Sequence, residues 1–310
     1  MTSCVPVEIP VMDISVIICT RNRAESLKRT LHRFSEISIP GECSWEIIVV
    51  DNRSADSTRS VIEEFRISSG LNVRYVYEPR QGLSHARNRG LREAKGKFIA
   101  FTDDDIIVDN LWIPEILRES RSSEDAAMMF GQTKPYTAGT PLLSIKESDT
   151  GKCYTFPCTP WDIGHGNNMF IRSSLIESVG TFDPWLGAGT RIGAAEDTDY
   201  VYRVLRSHRK ILYSPSIVVY HDHDRINSKD VQRIERNYAK GRGAFYCKHI
   251  LRGDIFAAKM FYWELRSLAS VFIEKRESRR KAVGNLSGLF HGFAVRVLTE
   301  LNASLIRSKG

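Results

Sequence analysis

Over the first hundred positions, short runs of Val, Ile and aromatic residues alternate with stretches whose apolar residues recur at helical spacing. Residues 15–19, 46–50, 73–77 and 97–101 read as strands. Between them Leu27, Leu31 and Phe34 mark a helix, Ser54 can cap a segment carrying Val61, Ile62 and Phe65, and residues 84–94 form a third helical stretch. Strand and helix in alternation mean an α/β chain with a parallel sheet and crossover helices. Such sheets gather ligands outside the carboxyl ends of their strands. That rule directs attention to Thr20-Arg21-Asn22-Arg23, Asp51-Asn52-Arg53-Ser54 and Asp103-Asp104-Asp105. Farther on, residues 109–134 predict a helix and a strand. A Pro/Gly/Ser/Thr-rich stretch then runs to Asp162, and it is expected to be loop-rich and to shape a substrate pocket. Residues 167–171, 210–213 and 216–220 suggest further strands, and 196–207 a helix. Everything beyond Ser228 reads as helix, including 254–275 and 279–305.

The length of 310 residues fits one enzyme-sized body, 1–227, with a helical extension, 228–310. A hydrophobic share of 42% and a charged share of 26% exclude wholesale disorder. No apolar run approaches the ~20 residues of a spanning helix. Residues 1–10 lack a basic segment ahead of an apolar one, so no secretory signal is expected and the cytoplasm is the expected location. Six scattered cysteines without a CxxC pair read as reduced thiols. The net charge of +7 belongs to the C-terminal quarter, where 17 Lys and Arg stand against seven Asp and Glu from Lys229 onward. Such asymmetry suggests an anionic partner surface, either nucleic acid or lipid headgroups.

Asp103 and Asp105 follow an apolar strand two positions apart, so in an extended chain they share a face while Asp104 points away. Converging carboxylates repel unless a cation compensates, which suggests Mg²⁺ or Mn²⁺; a solvated acidic turn is the plainer alternative. Asp51 can accept from a ribose hydroxyl or a base N–H, or merely cap the next helix. No Gly-x-Gly-x-x-Gly follows the first strand, which counts against a dinucleotide-binding dehydrogenase. Arg87 is suited to gripping a diphosphate, although a lone helical Arg is more often solvated. Asp197 shares a helical stripe with Val201, Val204 and Leu205 and therefore faces inward, with Asp199 pairing outward to Arg203. An inward carboxylate is a candidate general base; Glu196 and Asp197 could equally complement a helix dipole. His221, ahead of His223, could complete a metal shell or touch a diphosphate. Zinc is not indicated, since no cysteine stands at ligand spacing.

Eight blocks in order resemble the inverting glycosyltransferases of family 2, which have the GT-A fold. They run from Ser15-Val-Ile-Ile-Cys-Thr-Arg-Asn-Arg23 through Ile47-Ile-Val-Val-Asp-Asn-Arg-Ser54, Gly82-Leu-Ser-His-Ala-Arg-Asn-Arg-Gly90 and Ala100-Phe-Thr-Asp-Asp-Asp105. They continue with Gly166-Asn-Asn-Met-Phe-Ile-Arg172, Val179-Gly-Thr-Phe-Asp183, Glu196-Asp-Thr-Asp199 and Val218-Val-Tyr-His221. The resemblance implies a Rossmann-like, mostly parallel sheet flanked by helices. It implies that Thr20, Asn22, Asp51, Arg87 and Asp103 hold the nucleotide of a sugar-nucleotide donor. By the same resemblance Asp103 and Asp105 bind Mn²⁺ or Mg²⁺, to which the residue reading adds His221, and Asp197, beside Glu196, is the base for a saccharide or lipid-linked acceptor. The family often has Gly-Ala-Asn where this chain has Gly166-Asn167-Asn168, and the loop 186–195 is long and rich in Gly and Ala. Acceptor and donor-sugar recognition are the least transferable parts.

The extension resembles the helical tails of members that build surface polysaccharides. Ile255, Phe256, Met260, Phe261, Leu265, Leu268, Phe272 and Ile273 form an apolar stripe followed by Arg276, Arg279, Arg280 and Lys281. This stripe can lie on the inner face of the plasma membrane, or pack on the catalytic domain or on a second subunit as a homodimer. A sugar-nucleotide nucleotidyltransferase would want a glycine-rich loop after the first strand, which Thr20–Arg23 is not. Nucleic-acid binding through the tail fits poorly, because its aromatics mix with aliphatics.

Overall fold

The computed structural model describes residues 12–39, 41, 43–141, 143–223, 228–271 and 276–307. The four expected N-terminal strands form as β1 (Met12–Thr20), β2 (Trp45–Asp51), β3 (Val73–Tyr77) and β4 (Gly96–Asp103). Helices α1 (Ala24–Phe34), α2 (Thr58–Ser69) and α3 (Leu83–Glu93) connect them. The strands pair in parallel in the order β3-β2-β1-β4. Ile14, Val16 and Ile18 of β1 enter the core layer shared with Leu27, Leu31 and Phe34 of α1, while Ile17 enters the opposite layer with Ala86 and Leu91 of α3. Burial on both faces is why β1 and β2 are near-continuous apolar runs. The polar exception, Ser15, donates to Glu46 Oε1 at 2.7 Å and accepts from the Gly96 N–H at 2.8 Å.

The chain continues through β5 (Ile106–Val108), α4 (Trp112–Ser122), β6 (Ala126–Pro135), β7 (Lys152–Tyr154), β8 (Met169–Arg172), α5 (Leu175–Val179), α6 (Glu196–Arg206) and β9 (Lys210–His221). The sheet extends from β4 as β8-β6-β9-β5, with β7 also on β9. Here β6 and β9 are parallel, and β8, β5 and β7 run antiparallel to their neighbours. One sequence expectation needs correction, and two short strands are not foreseen. Residues 210–221 are one strand rather than two, because the register shift between Gly131↔Ser214 and Gln132↔Val218 absorbs the irregularity around Pro215. The three-residue strands β5 and β7 are too short to carry a periodic signal.

Three helices follow: α7 (Ser228–Ile250), α8 (Ile255–Val271) and α9 (Arg276–Arg307). The apolar stripe of α8 turns inward. Ala257 and Met260 are buried with Tyr202, Phe245, Tyr246 and Leu289, and Phe256, Phe261, Leu265 and Leu268 pack against them. Phe272 and Ile273, and the side chains of Arg276, Arg279, Arg280 and Lys281, lie outside the described residues, as does the N-terminal stretch 1–11. Among the described residues no helix is long and apolar enough to cross a membrane, and Cys19, Cys43, Cys153, Cys158 and Cys247 are free thiols.

The extension is fastened to α6 by buried charge. Asp199, expected to face outward, is fully buried. It accepts from Arg203 Nε at 2.9 Å, as the spacing suggested, but also from Lys248 Nζ at 2.7 Å and His249 Nε2 at 3.0 Å. Lys248 and Arg296 meet Asp183 at 3.0 and 3.1 Å. Burial alone would push the Asp199 carboxyl up; Lys248, then His249 and Arg203, outweigh it and hold the group well below the usual carboxylate range. Asp183 is likewise lowered, Lys248 and Arg296 overcoming its burial.

A carboxyl with a depressed folded-state pKa contributes stability above its unfolded value, lost as pH falls through the folded one. Lys248→Met leaves Asp199 and Asp183 short of a counter-charge in the interior, so it should destabilise the protein by about 3–5 kcal/mol at pH 7. Below about pH 4 the deficit should shrink as the stranded acids take up protons; denaturant titrations at the two pH values check both statements.

Candidate active site

The register Thr20↔Asp51, Cys19↔Asp103 and Asp51↔Tyr77 brings the carboxyl ends of all four parallel strands to one edge. There β4 does not run on as an extended chain: Asp104 and Asp105 form a turn into β5. Alternation of faces therefore fails at this point. Asp104, expected to point away, is buried beneath the edge, where Thr20 Oγ1 donates to its Oδ2 at 2.7 Å and Arg23 Nε lies 3.2 Å from its Oδ1. Arg23 Nη2 reaches Asp105 Oδ2 at 3.0 Å, and His221 Nε2 stands 3.4 Å from Asp105 Oδ1. Burial would lower the pKa of His221, but Asp105 outweighs it and the net shift is upward. His223, two residues beyond β9, contacts the Pro141 carbonyl through Nε2.

Arg87 is not solvated. It is 3% exposed and lies between the rings of Phe101 and Phe182. Its Nη1 meets Glu196 Oε1 at 2.9 Å, while its Nη2 donates to the Gly166 carbonyl at 3.4 Å and lies 3.7 Å from Asp103 Oδ1. The N–H of the same Gly166 donates to Asp197 Oδ2 at 3.0 Å, and the Thr198 N–H to Asp197 Oδ1 at 2.7 Å. A Cβ at residue 166 would come within 2.5 Å of Arg87 Nη2, so the turn admits glycine there. Glu196 is buried and its pKa is raised to about 7, by burial first and Asp197 second. Asp104 is also raised to about 7, by burial, with Asp105 adding to it and Arg23 opposing it.

These groups line one crevice of about 520 Å³. It contains Thr20, Arg87, Asp103, Asp105, Glu196, Asp197 and His221, and so unites most of the residues singled out from the sequence. Asn22 and Asp51 are not in its lining. Asn22 is exposed at φ +52°, its N–H bonded to Ser54 Oγ and its Oδ1 accepting from the Ala55 N–H. Asp51 is buried, with Oδ1 accepting from the Ser54 N–H and Oδ2 from Tyr75 Oη. Asn22 thus ties the loops after β1 and β2 together, and Asp51 fixes the loop after β2 against β3. Ser54 is accordingly no cap for α2, whose first N–H, at Thr58, donates to Asp56 Oδ1.

Several lining residues were assigned no role from the sequence. Asn52, next to Asp51, braces the loop before α3 by donating to the Glu78 and Arg80 carbonyls and accepting from the Gly82 N–H. His165 borders the crevice and contacts the Ile145 carbonyl; burial pushes its pKa down. Arg233, Ile234, Asn237 and Tyr238 arrive from α7, and no pattern along the chain connects that helix to the strand ends. Among the described residues Arg21 Nε, also in the lining, has no hydrogen-bond partner.

Among the described residues no three His, Cys, Asp or Glu side chains already form a ligand cluster. The donor chemistry nevertheless fits a hard divalent cation. Asp103 and Asp105 supply carboxylate oxygens, and five acids, Asp103, Asp104, Asp105, Glu196 and Asp197, crowd one crevice. Two of them are already pushed up to about 7.

The chain matches the family described as Glycosyl transferase family 2 over residues 15–177, more than half its length. It belongs to glycosyltransferase family 2. This family 2 chain is 32% identical over 223 residues to the succinoglycan biosynthesis protein ExoM of Rhizobium meliloti, covering 67% of this chain and 66% of that one. It is 25% identical over 205 residues to the glycosyltransferase AglE of Haloferax volcanii, covering 66% and 67%. The match thus spans about two thirds of each relative. Among solved structures, the mannosyltransferase PcManGT from Pyrobaculum calidifontis, in complex with GDP-Man and Mn²⁺, superimposes with a TM-score of 0.63 at 17% identity, over 92% of this chain and 86% of that one. S. aureus TarS 1–349 in complex with UDP-GlcNAc gives 0.58 at 17%, over 91% and 82%. At such identity the likeness concerns the fold, which is GT-A.

A carboxyl whose folded pKa is raised stabilises the protein at low pH and loses that contribution as pH rises through the folded value. For Asp104 and Glu196 the loss runs from the unfolded carboxyl value, about 4, up to about 7. The unfolding free energy of the metal-free protein should therefore decline between about pH 4.5 and 7 and level off above that, and Glu196→Gln should remove part of the decline; denaturation curves across that range test it.

Proposed function

We propose that the protein transfers a sugar from a nucleoside-diphosphate donor to a hydroxyl of a saccharide or lipid-linked acceptor, with inversion, and that Asp197 is the general base. The observation carrying this reading is the position of Asp197. It stands in the same crevice as the acids at the end of β4, held by two backbone N–H groups. The Thr198 hydroxyl also donates to Oδ1 at 3.3 Å, whereas Oδ2 accepts only from the Gly166 N–H among these bonds and keeps a lone pair, so an acceptor hydroxyl can deliver its proton there while its oxygen attacks the anomeric carbon. Attack from the side opposite the departing diphosphate inverts that carbon.

Arg21 and Arg233 line the crevice beside Arg87 and offer guanidinium donors to the diphosphate. Thr20 steadies Asp104 rather than facing a ligand alone. Asn22 and Asp51 act on the nucleotide by fixing the loops at the crevice rim. Asp103 and Asp105, with His221 behind Asp105, would hold Mn²⁺ or Mg²⁺, which when bound neutralises charge on the departing diphosphate. The neighbours in complex with GDP-Man and Mn²⁺ and with UDP-GlcNAc support this donor class. The succinoglycan relative supports a place in surface polysaccharide or glycolipid assembly.

A peripheral site on the cytoplasmic membrane face belongs to the same reading, but it uses a different face of the tail. The inward stripe of α8 is taken up by packing, whereas Ile255, Lys259, Tyr262 and Arg266 remain exposed at i, i+4, i+7 and i+11. An aromatic–basic face of this kind suits anionic headgroups. The protein should sediment with anionic liposomes at low salt and be released at high salt. Identical behaviour with neutral liposomes would remove the membrane proposal and leave the transferase reading standing.

A panel of UDP, GDP and dTDP sugars assayed for Mn²⁺- or Mg²⁺-dependent nucleotide release identifies the donor. With that donor, Asp197→Asn should lower transfer about 10²- to 10⁴-fold while keeping donor affinity, and Asp105→Ala should weaken both. Full transfer by Asp197→Asn would move the base elsewhere.

A further inference from the structure

Beside the acidic crevice lies a second cavity of about 780 Å³, and Asp197 belongs to the lining of both. Ser144, His165, Ala194, Ala195 and Tyr238 are also shared, so the two chambers meet along one seam. The second chamber differs in chemistry. Its walls carry Trp161, Tyr246, Phe256, Met260 and Trp263, with Arg242 and Glu264 among them. One wall comes from the loop before β8 and the other from α7 and α8. Those helices lie outside the segment that matches the family, 15–177.

The aromatic walls are held in place. Trp161 packs edge-on against Phe245 and Tyr246, at 5.1 and 5.8 Å between ring centres. Tyr246 Oη donates to Glu264 Oε2 at 2.6 Å, and Arg242 Nε stands 2.7 Å from Glu264 Oε1. Glu264 thereby fixes one ring and one guanidinium at once. Trp263 is 57% exposed and carries Arg266 over its ring at 5.1 Å. Flat rings with a few fixed hydrogen-bonding groups between them suit a pyranose, which offers C–H faces to the rings and equatorial hydroxyls to the polar groups.

We propose that this aromatic chamber is the acceptor subsite and that it holds a sugar ring of a saccharide acceptor between Trp161 and Trp263, with the reacting hydroxyl directed across the seam to Asp197. This rests on the reading of Asp197 as the base. It adds that acceptor choice is made by the C-terminal helices, with Trp263 as a specificity-determining residue. Arg242, the guanidinium next to Glu264, sets the orientation of the ring. A lipid tail is the competing occupant of an apolar cavity, and the two leave different traces.

The test is saturation-transfer NMR on the full chain with octyl β-glucoside and with glucose-, galactose- and N-acetylglucosamine-terminated di- to tetrasaccharides, beside calorimetric donor affinity. Sugar-ring protons of at least one probe should receive saturation. Trp263→Ala should weaken that probe about tenfold, the worth of one aromatic contact, with donor affinity changed less than about twofold, well under the tenfold step. Trp263→Phe should recover part of the loss. Saturation confined to the octyl chain, no transfer to any saccharide, or equal loss of donor affinity in Trp263→Ala would overturn the assignment. Because donor turnover plays no part in these measurements, a failed chamber with a working sugar-nucleotide panel refutes the subsite alone. An inactive panel refutes the transferase reading.

Discussion

The buried guanidinium of Arg87 is the constraint on which the site depends. One side chain from α3 touches Glu196, the Gly166 carbonyl and the neighbourhood of Asp103, three segments far apart in sequence. An unpaired charge in such a place would cost several kcal/mol, so the surrounding acids and the turn at Gly166 have to be where they are. The same turn holds Asp197 through its N–H. Position of the acidic crevice and position of the proposed base are thus set by one residue pair, Arg87 with Gly166, and not by separate loops.

Charges of both signs are crowded around that centre. Five carboxyl groups share the space, and burial together with mutual repulsion holds Asp104 and Glu196 near 7 instead of near 4. A cation held by Asp103 and Asp105, as proposed, would relieve that repulsion. The strain resides in electrostatics more than in backbone, although Ala195, just ahead of Glu196, does adopt φ +75° at the head of α6.

The C-terminal helices belong to the same electrostatic design. Their basic excess suggested an outward-facing surface, yet Lys248, His249 and Arg296 are buried and bind Asp199 and Asp183. Asp199 lies two residues beyond Asp197 on α6, so the docking of the tail fixes the helix that presents Glu196 and the proposed base. Close approach of α7 and α9 depends on small residues at the crossing, since a Cβ at Gly243 or Gly292 would fall within 2 Å of the opposite backbone.

Strands β1 to β4, the helices between them, the strand-end clusters and the acidic start of α6 were legible in the chain, because each is a local pattern. Apolar runs specify buried strands, periodicity specifies helices, and chain order specifies which strand ends meet. Glu196, Asp197, Asp103, Asp105 and His221 could be singled out on that basis. Which way Asp104 and Asp199 face was not legible. A turn that interrupts an extended strand, and a counter-charge arriving from a helix 49 residues on, leave no mark in the local sequence. Nor could Asn237, Tyr238 and Trp263 be connected to the site from their own surroundings. Pairs such as Thr20 with Asp104 and Arg87 with Glu196 lie 84 and 109 positions apart. Local chemistry chose the residues; only the folded packing decided which of them meet, because burial and pairing of charge are properties of distant neighbours in space.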